Sequence, residues 1–170
     1  MPFELKPFSK DVNRKDFCCG KPELDKYFIE QLGQDEGRDA ARAHLLVDGD
    51  TNTVAGFFTI SAGAVELTRL PESLLKKVAR YAQVPAAVIG RLAVDRRFKG
   101  QGLGGLLLIE ALAMVVSGPL AVTVVLVDAK DEDAAAFYRK FGFAALQDVD
   151  PLKMFMTAKA AREAIGAQKE

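Results

Sequence analysis

Four glycines fall within six residues, at positions 100, 102, 104 and 105, and three cations, Arg96, Arg97 and Lys99, stand just before them. The apolar run Arg91-Leu-Ala-Val94 ahead of the cations reads as the end of a strand. The Leu- and Ala-rich run from Gly102 to Val116 reads as a helix. Glycine lets a backbone approach a ligand closely, and the first amides of a helix have no internal acceptor. Together with the helix dipole, such amides bind phosphate. The segment therefore reads as an anion cradle, most simply for a pyrophosphate. A dinucleotide fits it poorly. Gly100, Gly102 and Gly105 satisfy G-x-G-x-x-G, but five residues, Asp95 to Lys99, separate the strand from the first Gly, and no acidic residue ends a strand about 20 residues further on. The Gly-Lys-Ser/Thr of an NTPase loop does not occur. Glycines that merely turn the chain are the plainer alternative, but turns seldom need four together with three cations.

The remaining reactive side chains suggest little chemistry of their own. Cys18 and Cys19 are adjacent, a poor arrangement for a structural disulfide, and the single histidine, His44, cannot complete a zinc site with them. No metal is expected. His44 reads as structural, and the two cysteines as a feature of a helix start. The 170 residues carry 23 Lys+Arg and 23 Asp+Glu, a formal net charge of zero, which removes the overall basic footprint of a nucleic-acid binder while allowing a local patch. The hydrophobic fraction of 49% is ordinary for a globular chain. The N-terminus has no signal-peptide core, and no run approaches the ~20 apolar residues of a membrane span. A cytoplasmic protein without membrane contact is the expectation.

These groups need elements to position them, and the length favours one domain over residues 1–170. Glu23 to Glu36 has helical apolar spacing and should end between Gly33 and Gly37. Ala43 to Val47 and Thr53 to Ser61 form a hairpin about Asp48-Gly-Asp-Thr-Asn52. Pro71 to Tyr81 reads as a short helix with Lys76, Lys77 and Arg80 towards its end. Ala87 to Val94 is a strand, and Ala121 to Val127 a fully apolar strand covered on both faces. Asp131 to Lys140 is a helix with three carboxylates in its first turn and Gly142 as its left-handed C′ residue. Leu152 to Met156 is the last strand, and 158–170 is a helix, frayed or whole. A mixed α/β sheet follows.

Arg97-x-x-Gly100-x-Gly102 after the Arg91-Leu-Ala-Val94 strand resembles the acetyl-CoA signature of the GNAT superfamily of N-acetyltransferases. Ala134-Ala-Ala-Phe-Tyr-Arg-Lys-Phe-Gly-Phe143 is similar to that family's second signature, at the expected distance. The likeness covers about Leu45 to Met156. It implies a mixed, mostly antiparallel sheet, splayed at a central V and flanked by helices, with acetyl-CoA entering the gap. By this resemblance the strand residues Leu92, Ala93 and Val94 face the pantetheine arm. The loop residues Arg97, Lys99, Gly100, Gln101, Gly102, Leu103, Gly104 and Gly105 hold the pyrophosphate. Asp131, Ala134 and Phe137 of the second signature lie along the cofactor, although Asp131 stands where the family commonly has Asn and reads more simply as a helix N-cap. Tyr138 matches a tyrosine frequent in the family. CoA leaves as a thiolate, and a phenol of pKa about 10 can give it a proton. The alternative for Tyr138 is a core aromatic beside Phe137 and Phe141.

The strand Val88 to Val94 carries no carboxylate to act as a base. At pH 7 a lysine amine is neutral in only about one molecule in 2,500, an α-amine in about one in ten. The site therefore suits an α-amine, and an aminoacyl ester better still, unless Glu66 or a water relay serves as base. Phe17-Cys-Cys-Gly20, Glu23-Leu-Asp-Lys-Tyr-Phe28, Ala55-Gly-Phe-Phe-Thr-Ile-Ser61 and Gly90-Arg-Leu-Ala-Val-Asp95 resemble the GNAT toxins of bacterial toxin–antitoxin pairs. That resemblance implies acetylation of aminoacyl-tRNA and neutralisation by a ribbon-helix-helix antitoxin, and it is compatible with a homodimer. Arg69, Lys76, Lys77, Arg80 and Arg91 are the candidate patch for the acceptor stem, with a solvated surface as the alternative. The other readings are acetylation of a small amine or a protein N-terminus, and a non-catalytic acyl-CoA-binding module.

Overall fold

The computed structural model describes residues 2–77, 81–147 and 150–169. Among the described residues, seven strands form one sheet in the order β1-β2-β3-β4-β5-β7-β6: β1 (Phe3–Pro7), β2 (Arg42–Asp48), β3 (Thr53–Glu66), β4 (Gln83–Val94), β5 (Val124–Asp128), β6 (Ala144–Ala145) and β7 (Lys153–Thr157). Pairing is antiparallel for β1 with β2, β2 with β3, β5 with β7 and β6 with β7, and parallel for β4 with β5. The helices are α1 (Pro22–Lys26), α2 (Leu32–Gly37), α3 (Glu72–Leu75), α4 (Leu103–Ser117), α5 (Glu132–Lys140) and α6 (Ala158–Lys169). The mixed, mostly antiparallel α/β architecture agrees with expectation. The chain divides into two compact units, residues 1–61 with 90–110 and residues 62–89 with 111–170.

In the first unit, the hairpin of β2 and β3 pairs Leu45 with Phe57 and Leu46 with Gly56. Its apolar face packs with α1 and α2 into a core of Phe17, Leu24, Tyr27, Phe28, Leu32, Leu45, Phe57 and Ala93. Phe28 and Phe57 lie 4.4 Å apart between ring centroids, Phe17 and Phe28 4.5 Å apart. The helix expected over Glu23 to Glu36 is present, with Pro at its first position, but Tyr27–Gln31 between α1 and α2 is a π turn. There the Leu32 N–H reaches back to the Tyr27 carbonyl, and the guanidinium of Arg14 donates to the Phe28 carbonyl at 3.0 Å. A π turn widens the helix and misaligns its carbonyls, so a donor from outside the helix satisfies one of them. Where α4 crosses β3, Gly56 makes the contact possible: a Cβ there would lie 2.7 Å from Leu107 Cδ1 and 2.8 Å from the Ala93 carbonyl oxygen.

The second unit is built on the parallel pair. Ala86 to Ile89 register with Val124 to Val127, and β4 continues five residues beyond that register, to Val94 in the first unit. Just past it the buried hydroxyl of Thr59 accepts the Arg91 N–H at 3.0 Å. Val65, Leu70, Val84, Val124, Leu146 and Phe155 form this unit's core. Three expectations need correction. The helix after Pro71 is only Glu72–Leu75. Lys76 and Lys77 form a turn, positions 78–80 lie outside the described residues, and Tyr81 is exposed and non-helical. The strand expected over Ala121 to Val127 begins at Val124. The strands β1 and β6 were not foreseen.

Candidate active site

The loop between β4 and α4 starts from a buried charge. Asp95, with 0% of its surface exposed, caps a single 3-10 turn, Arg96–Phe98. Its Oδ1 accepts the Arg97 N–H at 2.9 Å and Arg97 Nε at 2.8 Å; its Oδ2 accepts Arg97 Nη2 at 3.0 Å and the Cys18 N–H at 3.0 Å. Burial pushes the Asp95 carboxyl up, but the Arg97 side chain and the two amides more than offset this and hold it below the usual carboxylate range.

Five consecutive amides in this stretch donate inward. Asp95 N–H reaches the Ala55 carbonyl (2.8 Å), Arg96 the Cys18 carbonyl (2.9 Å), Arg97 the Asp95 side chain, Phe98 the Asp95 carbonyl (2.9 Å) and Lys99 the Arg96 carbonyl (3.5 Å). The amides that follow belong to the glycine segment. Gly100 (φ +83) and Gly102 (φ +76) take the left-handed conformation that side chains disfavour, and Gly102 offers its carbonyl to the Leu106 N–H at 3.1 Å, as an N-cap does. Leu103, Gly104 and Gly105 then occupy the first turn of α4, where an α-helix leaves its N–H groups without internal acceptors. Gln101 sits between the two left-handed glycines, exposed. The Lys99 amide thus has an internal acceptor, at 3.5 Å.

Two of the three cations before the glycines have internal partners. Arg97 is paired with Asp95, and Lys99 Nζ donates to the Cys19 carbonyl at 2.7 Å, so both side chains brace the loop from behind. Arg96 is exposed. On β4, Ala93 is buried while Leu92 and Val94 are half-buried. Arg91, proposed for the acceptor, lies with its guanidinium 4.0 Å above the Tyr27 ring. The Cys19 thiol is pushed up to about 11, chiefly by burial and by the Asp25 carboxylate, so it is protonated and a poor nucleophile at neutral pH.

Tyr27 itself donates to Asp35 Oδ2 at 2.7 Å, and burial with that bond pushes its phenol well above the ordinary value. A raised folded-state pKa confers stability that is complete below the unfolded value of about 10 and lost as pH rises through the folded value. Tyr27→Phe is expected to cost about 1.5–3 kcal/mol at pH 7, the range for a hydrogen bond to a charged acceptor. The gap from wild type should narrow above pH 10, where only the wild type must hold a proton on this phenol. Urea denaturation at pH 7 and pH 10.5 measures both; an equal gap at the two values would refute it.

The second unit holds the other signature. Asp131 is extended (φ −158) and its Oδ1 accepts the Ala134 N–H at 2.9 Å, an N-cap for α5. Ala134 and Phe137 are half-buried and Tyr138 is 8% exposed. The buried face of α5 is Ala135 with Tyr138, while Phe137 and Phe141 are half-buried with their rings 5.2 Å apart. The helix ends in a Schellman motif: Gly142 (φ +104) donates to the Arg139 carbonyl and Phe143 to the Tyr138 carbonyl. Its hydrophobic contact is Tyr138 against Phe143, edge-on at 5.5 Å, with Phe137 edge-on at 5.3 Å on Tyr138. Burial pushes the Tyr138 phenol up to about 12. Arg69 ends a 3-10 turn, half-buried, and Lys76 and Lys77 are exposed; Arg80 lies outside the described residues. Among the described residues no group of three or more His, Cys, Asp or Glu is placed to hold a metal ion, and no helix is long and apolar enough to cross a membrane.

The model of the acetyltransferase (GNAT) family matches residues 10–143. The chain belongs to that family. A tRNA-acetylating toxin of Mycobacterium tuberculosis is 31% identical over 153 residues, covering 88% of this chain and 89% of that one. Two solved structures share the GNAT fold: AtaT complexed with acetyl-methionyl-tRNAfMet (TM-score 0.86, 28% identity, 95% of this chain and 98% of that one) and AtaTR bound with acetyl-CoA (TM-score 0.84, 26% identity, 95% and 97%). Within the GNAT frame, sequence reasoning missed Asp95. An acidic residue directly after a strand and two before an Arg was the available signal of a cap.

Proposed function

We propose that this GNAT protein transfers acetyl from acetyl-CoA to the α-amine of aminoacyl-tRNA, and that it is a toxin blocking translation and neutralised by a ribbon-helix-helix antitoxin. The observation that carries acetyl-CoA binding is the pair of left-handed glycines delivering the chain into the first turn of α4. The amides from Gly100 to Gly105 take the pyrophosphate, and Leu92 to Val94 offer backbone groups to the pantetheine arm. The neutral amine attacks the thioester carbonyl, the C–S bond breaks, the nitrogen sheds its proton to water, and Tyr138 supplies the proton that converts the CoA thiolate to thiol and regains one from solvent. The choice of tRNA is supported by the likeness to a tRNA-acetylating toxin and to AtaT. It is supported too by the absence of a carboxylate on β4 from Val88 to Val94, which disfavours lysine amines. Residues 1–170 act as one acetyltransferase domain in this reading, since the family match spans both compact units. The protein works in the cytoplasm, where charged tRNA is found, and a homodimer is compatible with the reading.

Labelled acetyl-CoA incubated with total charged tRNA is expected to label RNA only while the amino acid is attached; deacylated tRNA should stay unlabelled. Charge reversal at Lys76 and Lys77 is expected to weaken tRNA binding and to flatten its salt dependence by about 0.7–0.9 in log–log slope for each phosphate no longer neutralised, leaving acetyl-CoA affinity intact. Label appearing in polyamines or protein N-termini with none on tRNA would move the conclusion to a small-amine or N-terminal acetyltransferase.

A further inference from the structure

We infer that Asp95 is a positioning residue for acetyl-CoA: by gathering Arg97 and the Cys18 amide onto one buried carboxylate, it fixes the path of the loop that presents Gly100 to Gly105 to the pyrophosphate. The inference rests on the acetyl-CoA reading above and adds to it a residue that need not touch the ligand. Asp95 is fully buried and all four of its side-chain hydrogen bonds are internal, so its work is done on the protein. Those bonds close a ring. The Phe17–Gly20 segment is held to the loop at three points, Cys18 N–H on Asp95, Arg96 N–H on the Cys18 carbonyl and Lys99 Nζ on the Cys19 carbonyl. That segment is in turn fastened to α1 by the Cys19 N–H on Asp25 Oδ1 at 2.7 Å. The loop is thus braced against a helix start far away in sequence, and the bracing stops at Lys99, one residue before the left-handed glycines begin. Fixing a binding loop in its bound shape raises affinity by removing the cost of ordering it, so the effect of Asp95 should fall on binding and not on the chemical step.

Asp95→Asn preserves size while removing the charge that holds Arg97 and placing an amide where two N–H donors expect an oxygen. It is expected to weaken acetyl-CoA binding by about 10- to 100-fold, the range for stranding a buried partner, while kcat at saturating acetyl-CoA stays within about twofold. Isothermal titration with acetyl-CoA and steady-state kinetics give both values. Asp95→Ser, which can still cap the turn and accept the Arg97 N–H but cannot pair with the guanidinium, is the second variant; it should show a smaller rise in Kd and decides the matter if Asp95→Asn does not fold. Unchanged acetyl-CoA affinity in a folded variant, or a fall in kcat without a rise in Kd, overturns the inference alone. A wild-type protein that does not bind acetyl-CoA overturns the reading beneath it.

Discussion

Tyr138→Phe is expected to lower turnover by about 100- to 10,000-fold, the usual contribution of general acid–base catalysis, or about 3–5 kcal/mol in barrier. Its affinity for acetyl-CoA and its melting temperature should stay close to wild type. Phenylalanine keeps the edge contacts with Phe137 and Phe143 and leaves the Schellman bonds at the end of α5 untouched. The pH profile separates the roles further. Burial pushes the phenol up to about 12, so Tyr138 carries its proton throughout the working range. Any loss of rate between pH 8 and 10 must then come from another group, and the variant's residual activity should show the same limb. A phenol this weakly acidic does not pass its proton unaided to a thiolate whose parent thiol has a pKa near 8.5. Its proton moves only as the C–S bond breaks and the nitrogen sheds its own, which ties the tyrosine to the transition state and spares ground-state binding. Wild-type turnover in Tyr138→Phe would reduce the residue to packing for α5.

Helix α5 was legible because its determinants are local. Asp131 three residues before Ala134, carboxylates opening the helix and glycine just past its end suffice to place α5 with its caps. The glycine loop was legible for the same reason. The sequence was silent where a distant partner decides the outcome. One of the donors to Asp95, the Cys18 amide, lies 77 residues away, and the π turn at Tyr27–Gln31 is accompanied by Arg14, 14 residues from the carbonyl it satisfies. Equally, Arg97 and Lys99 look like free cations until Asp95 and the Cys19 carbonyl are seen to hold them. Strand lengths misled where the signals conflict. β3 runs through Ala62-Gly-Ala64 and β4 begins through Gln83-Val-Pro85, and small residues and proline argue against strand on propensity alone. β1 is five residues ending in a proline, with Pro2 just before it, which suits an edge strand but reads as a loop.

Gly102→Val is expected to abolish acetyl-CoA binding at concentrations that saturate the wild type. At φ +76 a β-branched side chain is strained by roughly 1–3 kcal/mol, and the chain relieves the strain by leaving the left-handed region. Nothing lies within 4 Å of a Cβ built at this position, so the fault is one of backbone shape and not of crowding in the free protein. Turning the Gly102 peptide away misdirects the amides of Leu103 to Gly105 and takes the capping carbonyl from Leu106. Losing three charge-assisted bonds to phosphate at about 1.5 kcal/mol each corresponds to roughly 1,000-fold or more in Kd. Thermal shift measures it directly, since a ligand that binds only the native state raises the melting temperature. Acetyl-CoA should raise it for wild type and for Gly37→Ala, where the glycine is equally open but its φ is not positive, and should leave Gly102→Val unmoved. NADH should shift none of the three. A full acetyl-CoA shift in Gly102→Val would mean that the pyrophosphate is held elsewhere than at the opening of α4.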